Sequence, residues 1–281
     1  MWLLHFLPLS VLARSGAVVG LLLYAIAHQR RRIAHVNLEL CFPEKSAAER
    51  RRLAQRHFVA LARSILERGI LRWSSKERIG KTVRVEGLQH WERVRHSRPV
   101  VLLAPHFVGI DMGGMRLSSG GWPLTTMYRR LTNPVAESTL RAMRKRFGGH
   151  VVATDEGFRS VIEVMRQGHA FYYLPDHDLG RRKAVFVPFF GVPAATVTAL
   201  SRLVRTTGAI VVPCVTRQLP GGAGYVAHFY PPWFDYPLGD ATADARRMNE
   251  FIEERVREMP EQYFWVHRRF KTLPEGGRRA Y

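Results

Sequence analysis

The residues best placed for acid–base chemistry are His106 and Asp111, in the segment 99–114, which reads PVVLLAPHFVGIDMGG. An apolar run predicts a strand over 100–104, Pro105 stops it, and His106 follows at the carboxyl end, the edge where ligands usually bind in α/β sheets. Asp111 comes five residues later, where a helix is expected to start. On a regular helix, positions five apart are about 140° apart and share no face. The two side chains meet only if the intervening residues form a turn, for which Gly109 supplies the freedom. A carboxylate beside an imidazole fixes its tautomer and stabilises the imidazolium that forms, so His106 would take a proton from a hydroxyl as general base. No nucleophilic Ser or Cys is required. The bland alternative is a His106 that merely caps the helix and an exposed Asp111. A His-x4-Asp spacing is common by chance, and only its place after a buried strand raises it above that.

Other polar residues fall beside apolar runs. Asp176 and Asp178, in PDHDLG, follow a candidate strand. A metal reading is disfavoured because only His177 is near and Arg181, Arg182 and Lys183 would repel a cation. The expected role is structural, orienting basic residues or capping a loop, with Asp176 near the site. Arg129, in MYRRLTNP, carries a fork that can bind phosphate bidentately, against the plainer reading of an exposed strand-end arginine. Arg268 belongs to WVHRRFK, where aromatic and basic residues interleave as they would against a phosphorylated glycolipid at a membrane interface. The same texture could bind RNA, although no nucleic-acid-binding motif accompanies it. Cys41 and Cys214 are far apart, fit no metal or disulfide framework, and read as small core residues.

These residues need elements to hold them. Period-two and short apolar runs predict strands at 82–86, 100–104, 124–128, 170–174, 210–215 and 225–230. Helical spacing predicts helices at 111–118, 134–146, 157–166, 195–205 and 243–258. A long amphipathic helix is expected over 47–72, interrupted near Gly69. Alternation of strands and helices implies an α/β layered fold with a substantially parallel sheet. The helix over 195–205, after FVPFFGVPA, is expected to line an apolar pocket.

The first 27 residues are apolar, long enough to span a bilayer but interrupted by Arg14. A cleaved signal peptide is the rival, from Ala25-Ile26-Ala27, but the n-region has no Lys or Arg. The positive cluster Arg30, Arg31, Arg32 follows the apolar run, which favours an uncleaved anchor with the rest of the chain on the cytoplasmic side. The division expected is an anchor over 1–32 and one catalytic domain over 33–281. The formal net charge is +20, which points to an anionic partner such as a membrane surface or an acidic protein.

The segment around His106 resembles the His-x4-Asp/Glu motif of the glycerolipid acyltransferase superfamily. Further blocks resemble the bacterial lipid A biosynthesis acyltransferases: MYRRLTNP at 127–134, YLPDHDLG at 173–180, VFVPFFGV at 185–192 and PEQYFWVHRRFKTLPEG at 260–276. They occur in family order over nearly the whole chain. The resemblance implies a glycerolipid-acyltransferase-like fold and a catalytic dyad of His106 and Asp111. It further implies an acyl thioester donor on acyl carrier protein, an anionic glycolipid acceptor, and a place at the bacterial inner membrane. Arg129 would contact substrate; Arg130 stands where the family often has Pro, which leaves open which arginine does so. No metal or organic cofactor is implied, and nucleic acid is not an expected partner. A lysophospholipid acceptor would use the same chemistry, and a non-enzymatic nucleic-acid or membrane-binding protein is the reading outside the enzyme class.

Overall fold

The computed structural model describes residues 1–182, 184–276 and 280–281, so the Lys183 invoked above lies outside the described residues. Its sheet consists of β1 (Val83–Glu86), β2 (Val100–Leu103), β3 (Leu124–Tyr128), β4 (His150–Ala153), β5 (Ala170–Tyr173), β8 (Ile210–Gln218) and β9 (Tyr225–Phe229). The spatial order is β1-β9-β8-β2-β5-β3-β4. All neighbours run parallel except β8 and β9, which pair antiparallel. The inner strands β2 (VVLL) and β5 (AFYY) are buried at every position, which is why they read as continuous apolar runs rather than alternating ones.

Helices cover both faces: α1 (Leu9–Ile26), α2 (His28–Cys41), α3 (Ala47–Trp73), α4 (Lys76–Thr82), α5 (Leu88–Glu92), α6 (Ile110–Ser119), α7 (Pro134–Lys145), α8 (Gly157–Arg166), α9 (Ala199–Thr207) and α10 (Ala241–Glu258). Pleating sorts the strand residues. Val101, Leu103, Phe171 and Val211 join one core with Val161, Leu203 and Ile252 of α8, α9 and α10. Val100, Leu102, Tyr172 and Val212 turn to the other side, with Trp91 of α5 and Leu117 of α6. Cys41 and Cys214 are both buried in this packing.

Three expectations change. The helix expected over 195–205 begins only at Ala199. Residues before it form an antiparallel hairpin of β6 (Ala184–Phe189) and β7 (Val192–Val197). The turn residues Phe190 and Gly191 both have positive φ, 52° and 77°, the geometry of a tight primed hairpin turn. A phenylalanine is unusual there, and its ring is held between Phe42, at 5.0 Å, and the Arg257 guanidinium, at 4.5 Å. Next, α3 runs unbroken through Gly69; a Cβ there would stand 2.8 Å from the Met1 carbonyl oxygen, so the glycine admits the N-terminal turn and does not interrupt the helix. Finally, β4 was not expected: the strand is short, and its first residue, His150, is exposed.

The helix α1 is apolar and long enough to cross a membrane by length and composition. It also packs lengthwise on α3. Leu12, Gly16, Gly20 and Tyr24 form its buried stripe, and a Cβ on Gly20 would lie 2.5 Å from Val59 Cα, so the two backbones touch through the glycines. The opposite face, with Val18, Leu21, Leu22 and Ile26, is exposed. Residue 32 falls inside α2.

Candidate active site

Strand register builds the site. Leu103 of β2 is paired with Tyr173 of β5, so the residues three past each strand end, His106 and Asp176, arrive side by side at the carboxyl edge. Asp176 accepts a 2.7 Å hydrogen bond from His106 Nδ1 and two more, at 3.0 and 3.2 Å, from the His106 backbone N–H. The loop is fixed from its other side by the C-terminal block: Phe264 N donates to the His106 carbonyl at 2.9 Å and Val108 N to that of Gln262 at 2.9 Å. Asp176 is 1% exposed while the His106 side chain keeps 19%. Burial alone would raise the Asp176 pKa; the His106 ring and N–H, with His177, reverse this and hold the carboxyl well below the usual carboxylate range.

The imidazole is locked by stacking as well. The ring of His177 lies parallel to that of His106 at 3.6 Å, and His267 stacks on the far side of His177 at 3.9 Å. His267 Nε2 accepts from the Asp178 N–H at 3.1 Å. Burial, followed by the charges of neighbouring histidines, lowers His177 to about 2. His267 is lowered to about 4, chiefly by burial. Both rings are therefore neutral platforms. Asp178 caps its own loop, accepting from Gly180 N at 2.9 Å and from Thr272 N and Oγ1 at 2.6 and 2.7 Å.

The expected partnership of His106 with Asp111 is not the one formed. Asp111, in the first turn of α6, accepts from Arg144 at 2.8 Å and lies 3.1 Å from an Arg68 nitrogen. Burial would raise its pKa, but the two guanidiniums bring it down to about 2. With Gly109 in the right-handed region at φ −83°, ψ 0°, the turn directs Asp111 to the arginines contributed by α3 and α7. The other expected residues lie further out. Arg130 is engaged by Asp155 and Glu156 at 3.2 and 3.3 Å, whereas Arg129 is exposed and has no carboxylate partner among the described residues. Arg268 is exposed, its guanidinium 5.9 Å from the Tyr281 ring. Its neighbour Arg269 is buried, donating to the Ala195 carbonyl at 2.9 Å and Thr196 Oγ1 at 3.0 Å.

Beside Asp111 a small apolar cleft of about 40 Å³ runs between α6 and the sheet. Ile110, Met115, Leu124 and Leu174 line it, with Ser118 and His150 at the end away from Asp111. No residue of α9 lines it; α9 packs on the other face of the sheet, where Leu200, Leu203 and Val204 belong to the core. Sequence reading missed Arg68, Arg144 and the His177–His267 platform. The only available signal was that His177 and His267 both fell inside blocks already singled out.

The carboxyl edge of the parallel sheet thus presents a carboxylate-held imidazole, and an apolar cleft opens beside Asp111, five residues further along the chain. The chain belongs to the bacterial lipid A biosynthesis acyltransferase family, whose model matches residues 1–272. Over 278 residues it is 36% identical to the lipid A biosynthesis lauroyltransferase of Escherichia coli (strain K12), covering 98% of this chain and 90% of that one. The palmitoleoyltransferase of the same organism is 32% identical over 278 residues, with the same shares covered. Its myristoyltransferase is 34% identical over 267 residues, covering 95% and 81%. A crystal structure of the lysophosphatidic acid acyltransferase of Thermotoga maritima overlaps 84% of this chain and 97% of its own, at TM-score 0.41 and 14% identity, too loosely to carry any argument.

Proposed function

We propose that the protein transfers a fatty acyl chain from an acyl thioester, carried by acyl carrier protein, to a hydroxyl of a lipid A precursor. The observation that carries this reading is the 2.7 Å contact between His106 Nδ1 and Asp176. It fixes the tautomer in which Nδ1 bears the proton and Nε2 holds the lone pair. Nε2 removes the proton of the acceptor hydroxyl as its oxygen attacks the thioester carbonyl. The C–O bond forms, the tetrahedral intermediate collapses with cleavage of the C–S bond, and the sulfur leaves as the thiol after taking the proton back from His106 Nε2. Asp176, ionised throughout, stabilises the imidazolium. Asp111 acts one step away by organising Arg68 and Arg144 beside the apolar cleft, which would receive the start of the acyl chain.

The enzyme works at the cytoplasmic face of the inner membrane. Supporting this are the exposed apolar face of α1, the exposed Trp2, Leu3 and Phe6, and the cluster Arg30, Arg31, Arg32 just past α1. The net charge of +20 steers an acidic carrier protein and a phosphorylated lipid toward the site.

The test is incubation of the purified protein with a lipid A precursor and acyl carrier proteins bearing different chains, with product masses read by mass spectrometry. A product heavier by one acyl group is expected. Acylation of a lysophospholipid with none of the lipid A precursor would overturn the assignment.

A further inference from the structure

Resting on that functional reading, we infer that Arg72, Arg146 and Lys76, next to the Arg68–Asp111–Arg144 cluster, form a binding site for a phosphate monoester of the lipid acceptor. Arg72, Arg146 and Lys76 gather where the end of α3, the start of α4 and the end of α7 meet, a helical turn beyond the Arg68–Asp111–Arg144 cluster. Arg68 and Arg144 both contact Asp111, at 3.1 and 2.8 Å. One turn beyond Arg68 on the same helix, Arg72 reaches past Trp73, its guanidinium 5.6 Å from that ring. Arg146 donates to the Leu71 carbonyl at 3.0 Å, which brings it onto the same end of α3. The Phe147 ring is approached by two cations, Arg146 at 4.6 Å and Lys76 at 5.7 Å.

Against these positive groups stand Asp111, taken up by Arg68 and Arg144, and Glu77, next to Lys76; none of Arg72, Lys76 and Arg146 forms a salt bridge among the described residues. Like charges held this close, with one of them partly buried, are costly unless an anion joins them. The strain is visible at Arg146, whose pKa is lowered by burial and then by Arg72. Guanidinium forks favour phosphate over a carboxylate of the same charge because three equivalent oxygens can be shared among them.

The surroundings indicate which phosphate. Trp73 lies 6.2 Å from His5, and His5 packs on Trp2 and Phe6 at 5.9 and 3.8 Å. Trp2, Leu3 and Phe6 are at least half exposed. An aromatic, apolar tip therefore adjoins the cation cluster, the arrangement that seats a chain segment at head-group depth in a bilayer. A lipid still in the membrane would present its phosphate to Arg72 and Arg146, while its hydroxyl reaches the sheet edge past Arg68 and Arg144.

The experiment compares the purified wild type with Arg72→Gln and Arg146→Gln in neutral detergent micelles free of anionic phospholipid. Each is assayed with a phosphorylated lipid A precursor and with its dephosphorylated counterpart. The variants are expected to raise KM for the phosphorylated acceptor about tenfold and to match the wild type on the dephosphorylated one, with Arg72→Lys retaining part of the effect. Isothermal titration calorimetry with the phosphorylated precursor, in the absence of acyl donor, gives binding independently of turnover, and the affinity is expected to weaken in Arg72→Gln. Equal losses on both acceptors would overturn the site. So would variants that differ from wild type only in binding vesicles of phosphatidylglycerol. Binding of the precursor through these arginines without acyl transfer would sink the functional reading and keep the site; transfer indifferent to phosphate would do the reverse.

Discussion

His106 Nδ1 stands 2.7 Å from Asp176 Oδ1, although the two residues are 70 apart in sequence. They are neighbours because β2 and β5 are, and because Leu103 and Tyr173 share a register position. The same carboxylate also binds the His106 backbone N–H, so ring and main chain are held by one anchor. An imidazole held this way would lose little freedom in serving as the base of the proposed reaction.

The stacked His177 should act through its flat surface rather than its proton, since burial and the neighbouring histidines disfavour its charged form. His177→Phe, which preserves a ring against His106 at 3.6 Å, is expected to keep kcat within about threefold. It should leave the shape of the pH–rate profile unchanged between roughly pH 5 and 9. His177→Ala opens a gap between two rings and should cost about tenfold in kcat. A profile whose limb moves in the Phe variant would show that the proton matters.

Acid should destabilise the fold in a defined window. His57 is fully buried, donates to the Glu261 carbonyl at 3.1 Å, and is lowered by burial to about 4. Its folded pKa lies below its unfolded value near 6.5, so the unfolded chain binds the extra proton. Stability is complete above pH 6.5 and falls as the pH drops toward 4. For one such group the loss reaches on the order of 3 kcal/mol. Asp111, lowered to about 2, adds a second loss, which begins as the pH falls below the ordinary carboxylate range. Thermal melting between pH 7.5 and 4 should show the first decline, to which His177 and His267, lowered in the same direction, also contribute, and His57→Gln should make it shallower without abolishing it. A variant whose Tm tracks the wild type at every pH would rule out His57 as a titrating group.

Docking of α1 on α3 depends on two missing side chains. A Cβ at Gly16 would stand 2.8 Å from Arg63 Cα, and one at Gly20 2.5 Å from Val59 Cα. Gly20→Leu should therefore separate the helices and loosen the first turns of α2, exposing Arg30, Arg31 and Arg32 there to trypsin. A Tm drop of several degrees is expected, in line with about 1–3 kcal/mol for overpacking. Unchanged proteolysis and melting would mean that α1 does not need this contact.

Much of the fold was legible because parallel core strands are short apolar runs and surface helices carry a clear period. The strands at 124–128 and helices such as 157–166 were read to the residue. The hairpin β6–β7 was not, because Phe190 occupies a turn position that asparagine or glycine normally signals, and only tertiary packing on Phe42 and Arg257 keeps it there. At the site, His106 was legible from its place after a buried strand. Its partner was not, because local spacing proposes Asp111 while strand order selects Asp176, and strand order is set by contacts far apart in the chain. Arg68 and Arg144 were hidden for the same reason: on their own helices they read as ordinary surface charges.

Steady-state kinetics of Asp176→Asn beside Asp111→Asn tests the central claim most directly, with folding of each verified by circular dichroism. If Asp176 holds the catalytic imidazole, Asp176→Asn lowers kcat about 10²–10⁴-fold, and Asp111→Asn costs less than about tenfold in kcat. The reverse order, with Asp111→Asn inactive and Asp176→Asn close to wild type, would contradict the account and return the base to the local His106–Asp111 pair.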